Sequence, residues 1–229
     1  MTPEDLKALA EIMKTGELTT REFRQLAQEF LSPVLQAAGE RLADLIWPNR
    51  VENAARVFVR AYMILREAGI PLQPVPLKLL ARITEGASLE EEEGLTERWA
   101  RLLATAASGV DVPPSFPTIL AELRATDALI LDRIASRWPS PLAGGRRDNY
   151  VVDTDQPNLG ALQTEVYLPE DAFRVSIDIL LRLRLIVLSS LNLDDLSNRP
   201  VLLRHYQVPD LTDLGMEFVL ACAGPRGAG

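Results

Sequence analysis

One histidine, His205, and one cysteine, Cys222, bound the chemistry open to this chain. Any serine or cysteine nucleophile that needs an imidazole base must use His205. It stands in Leu203-Arg204-His205-Tyr206, a strand-like run with no nucleophile signalled beside it, so it reads as a solvent-facing strand residue. Cys222 falls on the inward stripe of the last amphipathic segment, where a free thiol packs as a small hydrophobe. One of each also excludes a disulfide framework and a structural zinc site.

The remaining candidates are charged. Glu90, Glu91, Glu92 and Glu93 are consecutive, so on a helix they fan out instead of converging on one ion. Near a helix start they suit the dipole, and their functional reading is an acidic docking patch for a basic partner. Asp153-Thr154-Asp155 and Asp194-Asp195 lack the glycine and closing glutamate of a calcium loop. Gly144-Gly145-Arg146-Arg147 joins a flexible backbone to two guanidinium groups, which could meet a phosphate. It has neither the Lys-Ser/Thr ending nor the following helix of a phosphate-binding loop. Arg174, Arg182 and Arg184 would reach DNA if their segment were a recognition helix, but Asp171 and Asp178 oppose them. No metal or cofactor site and no catalytic set follows from these residues.

Charge weighs the partner classes. The 229 residues carry 24 Lys+Arg against 32 Asp+Glu, a net charge of -8. Residues 1–116 hold 13 basic and 17 acidic side chains, and residues 117–229 hold 11 and 15, so neither half offers the basic face that a phosphate backbone requires. Net charge therefore disfavours nucleic acid and points to a protein partner. The start, Met1-Thr2-Pro3-Glu4-Asp5, is acidic, unlike a secretory leader. The most apolar stretch, Ile177 to Leu193, is cut by Arg182 and Arg184 and cannot fill the roughly 20 residues of a membrane span. A cytoplasmic protein is expected.

These side chains must be carried on a mostly helical chain. With 47% hydrophobic residues, the composition supports a buried core. Thr2-Pro3-Glu4-Asp5 starts a helix whose Leu6, Leu9, Ala10 and Met13 share a face. A second begins near Thr19 or Thr20, with Phe23, Leu26, Ala27 and Phe30 inward. Val51, Ala55, Phe58, Tyr62 and Leu65 step by threes and fours along a third, which Gly69 and Pro71 stop. A short helix through Leu77, Leu80 and Ile83 is expected to end at Gly86. Ser88 and Glu91 then form a capping box for a helix with Leu95, Trp99, Leu102, Leu103 and Ala106 inward. Val112-Pro113-Pro114-Ser115 marks the expected boundary between a helical region, 1–112, and a second region, 113–229.

The second region reads as helices at Phe116–Leu123 and Thr126–Trp138, then a polar insert, 139–168, with strand-like runs at Tyr150–Val152 and Val166–Leu168. Pro169-Glu170-Asp171 opens a helix with Phe173, Ile177, Leu180 and Leu181 inward. Two β-type runs follow, Leu185–Leu188 and Val201–Val208, and Thr212 caps a final helix. The expected fold is mainly α: a helical N-terminal region packed on a C-terminal winged-helix-like region with a small β-hairpin. The apolar faces exceed what one small bundle needs, which leaves room for a homodimer.

Three stretches resemble the Abi-alpha family, a bacterial domain linked to abortive infection against phage. They are Arg66-Glu67-Ala68-Gly69-Ile70 leading into Pro74-Val75-Pro76-Leu77-Lys78; Glu85 to Glu91 followed by Trp99-Ala100 and Leu102-Leu103-Ala104; and Pro114-Ser115-Phe116 with Ile119-Leu120 and Leu129-Ile130-Leu131-Asp132. Leu183–Ile186 and Leu211–Phe218 are similar to the layout at that family's C-terminal end, so the likeness covers roughly residues 40 to 222. The long polar insert departs from the commonest family pattern. The resemblance implies a non-enzymatic phage-defence protein acting through protein contacts, and it brings no catalytic residues to this chain. Two rival readings follow from the residues: a winged-helix DNA-binding regulator using Arg146 and Arg147, and an effector hydrolase drawing its acids from Asp148, Asp153 and Asp155.

Overall fold

A computed structural model describes residues 20–31, 51–137, 158–190 and 207–225. The expected helix at Leu6–Met13, the Ser32–Trp47 segment, the Tyr150–Val152 run, the Gly144–Arg147 tip, Asp148, Asp153, Asp155, Asp194, Asp195 and His205 lie outside the described residues. Among the described residues the chain is mainly helical, with one two-stranded antiparallel sheet. It forms two compact units, one running to Glu122 and resuming at Leu220, the other comprising Leu123–Val219.

The first unit contains α1 (Thr20–Glu29), α2 (Val51–Glu67), α3 (Leu77–Leu89), α4 (Glu93–Ala107) and α5 (Phe116–Glu122). Its centre is the packing of α2 on α4. The expected stripe of α2 is buried at Val51, Ala55, Phe58 and Leu65, while Tyr62 is half-buried. Ala54 and Ala61, both fully buried, carry side chains short enough for close helix approach. Phe30, just past α1, meets Phe58 edge-on with ring centroids 5.1 Å apart, the geometry that ring quadrupoles favour. Gly69 ends α2 as the sequence requires: its φ is 67°, its N–H donates to Arg66 O (3.0 Å), and Ile70 N–H donates to Leu65 O (2.9 Å), closing a left-handed helix cap. The proline connector beyond it is anchored at both ends. Gln73 N–H donates to Ala107 O (2.7 Å) and Val75 N–H to Phe30 O (2.9 Å).

Two expectations in this unit fail for one reason. α3 runs through Gly86 to Leu89, and Ser88 is a buried helical residue whose hydroxyl donates to Glu85 O (2.7 Å), not a cap. α4 starts only at Glu93. Gly86 stays helical because its missing side chain is filled by the Trp99 ring, whose Cζ2 would lie 2.6 Å from a Cβ there. The glycine marks a close approach of α3 and α4, not a stop. At the far end of α4, the Thr105 hydroxyl donates to Ala221 O (2.8 Å), and Cys222 is buried on the inward face expected for it.

The second unit contains α6 (Ala125–Ala135), α7 (Leu159–Val166), α8 (Glu170–Arg182), β1 (Ile186–Ser190) and β2 (Gln207–Leu211), followed by α9 (Asp213–Ala223), whose last residues belong to the first unit. The described order is three helices, two strands and a helix. The strands pair antiparallel, Ile186 with Leu211 and Ser190 with Gln207. The strand-like Val166–Leu168 run is corrected: the part of the polar insert from Leu159 to Val166 is helix. Asn158 caps it by accepting from Ala161 N–H (3.0 Å), a local bond that outweighs the β preference of a three-residue run. The second strand is described from Gln207 to Leu211, and the earlier part of the expected Val201–Val208 run lies outside the described residues.

Thr212 caps α9 as expected, its hydroxyl oxygen accepting from Gly215 N–H (2.9 Å). Its own N–H donates to Leu185 O (3.0 Å). Those bonds draw Gly215 against the Leu185 carbonyl, with no room for a side chain. α8 ends at Arg182, and Arg184 follows in the left-handed region with φ 56°. Its N–H bonds Leu181 O (2.9 Å), while Leu185 N–H bonds Leu180 O (3.0 Å), a cap that turns the chain into β1. Arg184 is therefore not on the helix, which corrects its placement beside Arg182 in a recognition helix.

Candidate contact groove on α8

Pro169 sets the entry to α8 with φ -56° and leaves Glu170 and Asp171 in the first turn, where the helix dipole favours acids. The buried stripe of α8 is Phe173, Ser176, Ile177 and Leu180. Leu181, expected inward, is half-buried. Beside that stripe runs an open groove of about 630 Å³. Phe173, Ile177, Leu181 and Leu188 supply apolar surface to it, Leu159, Gly160 and Gln163 of α7 form the facing side, and Gln207 closes the hairpin end.

Glu170, Arg174 and Asp178 line the groove in a row. Four-residue steps place them on neighbouring turns about 6 Å apart. All three are exposed, and none forms an ion pair or side-chain hydrogen bond with another described residue. The groove thus sets an apolar floor beside exposed charges of alternating sign.

A buried cluster holds α8 in position. Asp127, fully buried on α6, accepts from Arg124 Nε (3.1 Å), Arg124 Nη2 (2.9 Å) and Arg124 backbone N–H (2.9 Å). Arg124 Nη2 also donates to Ser176 Oγ (3.1 Å), tying α6 to α8. Burial pushes the Asp127 carboxyl upward, but the bonds from Arg124 and Ser176 outweigh it and hold the group below its ordinary 3.8. A carboxylate depressed in the fold contributes stability above its unfolded pKa and loses that contribution as pH falls through the folded value. We therefore expect Asp127→Asn to weaken the second unit by about 1.5–3 kcal/mol at neutral pH and to flatten its acid-unfolding limb below about pH 4. Urea titrations of both chains across pH 2 to 7, read by circular dichroism, measure both effects. On α7, Glu165 accepts from Arg137 (2.7 Å) and lies 3.7 Å from Arg133, fixing the facing side of the groove to the end of α6.

The residues singled out in the sequence do not assemble into one site. Arg174 lies on the groove, Arg182 is the last residue of α8, and Arg184 lies beyond it; Arg146 and Arg147 fall outside the described residues. The acidic run is not one first turn. Glu90 turns its carboxylate back onto the N–H groups of Glu91 (3.1 Å) and Glu92 (3.0 Å), Glu91 and Glu92 are exposed in the connector, and only Glu93 enters α4. Glu97, one turn on, is the acid that bonds across helices, accepting from Arg60 (2.9 Å) and Arg101 (3.0 Å). Among the described residues no group of three or more His, Cys, Asp or Glu could hold a metal ion, and no helix is long and apolar enough to cross a membrane. Sorting α8 by its arginines hides the groove; its sequence signal is the alternation Glu170, Arg174, Asp178.

The family model described as abortive infection alpha matches residues 52–222. Neither the search of curated proteins nor that of solved structures gave a match. The matched span takes in α2 through to Cys222, the groove included, and covers most of the sequence: this chain belongs to the abortive infection alpha family.

Proposed function

We propose that this protein serves bacterial abortive-infection defence in the cytoplasm by binding protein through the α8 groove, without breaking bonds itself. The observation that carries this reading is the unpaired row Glu170, Arg174 and Asp178 beside an apolar floor. Charged side chains that find no partner within their own unit keep their full capacity for an intermolecular one. The acid–base balance of α8 favours protein over nucleic acid as that partner. Glu170, Asp171 and Asp178 outnumber Arg174 and Arg182, and a helix of that sign repels a phosphate backbone.

The test is a phage challenge of cells expressing the chain with its native neighbours. The expected result is fewer plaques, with protection reduced by Arg174→Asp at unchanged protein level. No protection from the unaltered chain, or full protection from the folded variant, contradicts the proposal. Steeply salt-dependent binding of duplex DNA by the purified protein contradicts it as well.

A further inference from the structure

We infer that the α8 face is a homodimer surface on which two copies of the helix pair antiparallel about a two-fold axis midway between Arg174 and Asp178. The inference rests on reading α8 as a contact surface, and it names the partner as a second copy of this chain. Along α8 the exposed charges at four-residue steps alternate as Glu170, Arg174, Asp178 and Arg182, with Asp171 also exposed in the first turn. A row of this kind is self-complementary in only one sense of alignment. Parallel and in register, it sets like charges side by side. Antiparallel and centred midway between Arg174 and Asp178, it sets Arg174 against Asp178 of the second copy and Asp178 against Arg174 as the inner pair, and brings Glu170 level with Arg182, which already has an interaction of its own.

Two-fold symmetry forms the inner pair twice for each contact surface, as an isologous interface requires. Arg174 and Asp178 form no ion pair or side-chain hydrogen bond with another described residue, so this pairing displaces none. Apolar area for the contact is at the same place. Leu181 lines the groove on one side of the row, and Val175, 48% exposed, stands on the other. Ser176, bonded to Arg124, keeps the helix docked on α6 while its outer face is used.

Size sets the strength. Thirteen residues make a helix about 20 Å long, and one such pair covers less than the roughly 1,200–2,000 Å² of a stable interface. The dimer is therefore reversible and concentration-dependent, and the charges select its register more than they add affinity. It weakens as salt screens the pairs.

Sedimentation velocity of the full chain over a wide concentration series tests this. The expected result is a monomer–dimer equilibrium in which Arg174→Asp or Asp178→Arg alone raises the dissociation constant by at least about tenfold. The double variant Arg174→Asp/Asp178→Arg, which restores opposite charges across the axis, returns it toward the starting value. Thermal melts of each variant confirm folding, and both positions are exposed. A chain that stays monomeric throughout, a dimer indifferent to the single reversals, or a double variant no better than the singles overturns the inference. Protection by the unaltered chain in the phage challenge reads the defence role separately: its absence leaves the dimer standing, and a monomeric chain leaves the defence role standing.

Discussion

Gly215→Ala is expected to cost the second unit about 3 kcal/mol or more. A Cβ at this position would overlap the Leu185 carbonyl oxygen and lie 2.8 Å from its carbon. The obstructing group is backbone, so no rotamer change relieves it. That carbonyl is also the acceptor for Thr212 N–H, and the Thr212 hydroxyl is the acceptor for Gly215 itself. Moving either strand of chain apart breaks the cap of α9 and disturbs the Ile186–Leu211 pair that closes the sheet. Overpacking against side chains usually costs about 1–3 kcal/mol, and a rigid carbonyl bound on both sides lies at or above the top of that range. Urea denaturation read by circular dichroism measures it; a midpoint unchanged from the parent chain contradicts the close approach of Gly215 to Leu185.

Gly86→Ala is expected to be the counterpart in the first unit, at about 2–3 kcal/mol. Here the obstruction is the six-membered ring of Trp99, which is 1% exposed and has no empty space to swing into. Its indole N–H finds no hydrogen-bond partner among the described residues, so the ring serves α3–α4 packing by its volume. A phenyl ring at 99 is shorter at the end that Gly86 contacts. The substitution Trp99→Phe therefore costs stability alone but relieves Gly86→Ala, and the double variant is more stable than the sum of the two losses predicts. A coupling of at least about 1 kcal/mol is expected from a double-mutant cycle on groups in direct contact. Strict additivity contradicts the proposed contact.

These two glycines also show where the sequence could and could not be read. Gly69, Asn158, Pro169 and Thr212 act through local backbone geometry or a side chain a few residues away, and such signals are visible in one dimension. Gly69 and Thr212 were legible for that reason. Gly86 and Gly215 act through space, against Trp99 and Leu185, and a glycine inside a helical pattern gives no sign of what fills its empty side. Reading Gly86 as a stop displaced Ser88 into a cap and grouped Glu90 to Glu93 into one first turn. The periodic apolar faces of α2, α4 and α8 were legible because burial enforces spacing.

The candidate site followed the same division. Asp127 carries a sequence signal, an acid three residues after the residue before the helix, but its bond to Arg124 and the reach to Ser176 on α8 depend on two helices packing side by side. The groove needs α7, which lies within the polar insert and shares only Val166 with the strand-like run, together with Leu188 and Gln207 from the hairpin. Only the charge row on α8 is present whole in the sequence, where sorting it into basic residues and opponents hides the single alternating series.

Protein contact through α8 is the proposed basis of the defence role. The most direct measurement is plaque formation on cells carrying the unaltered chain, Arg174→Asp, Asp178→Arg, or both reversals together, each expressed to the same level beside the native neighbouring genes. The account predicts that either single reversal raises plaque counts toward those of unprotected cells. Equal protection by all four folded proteins would contradict it.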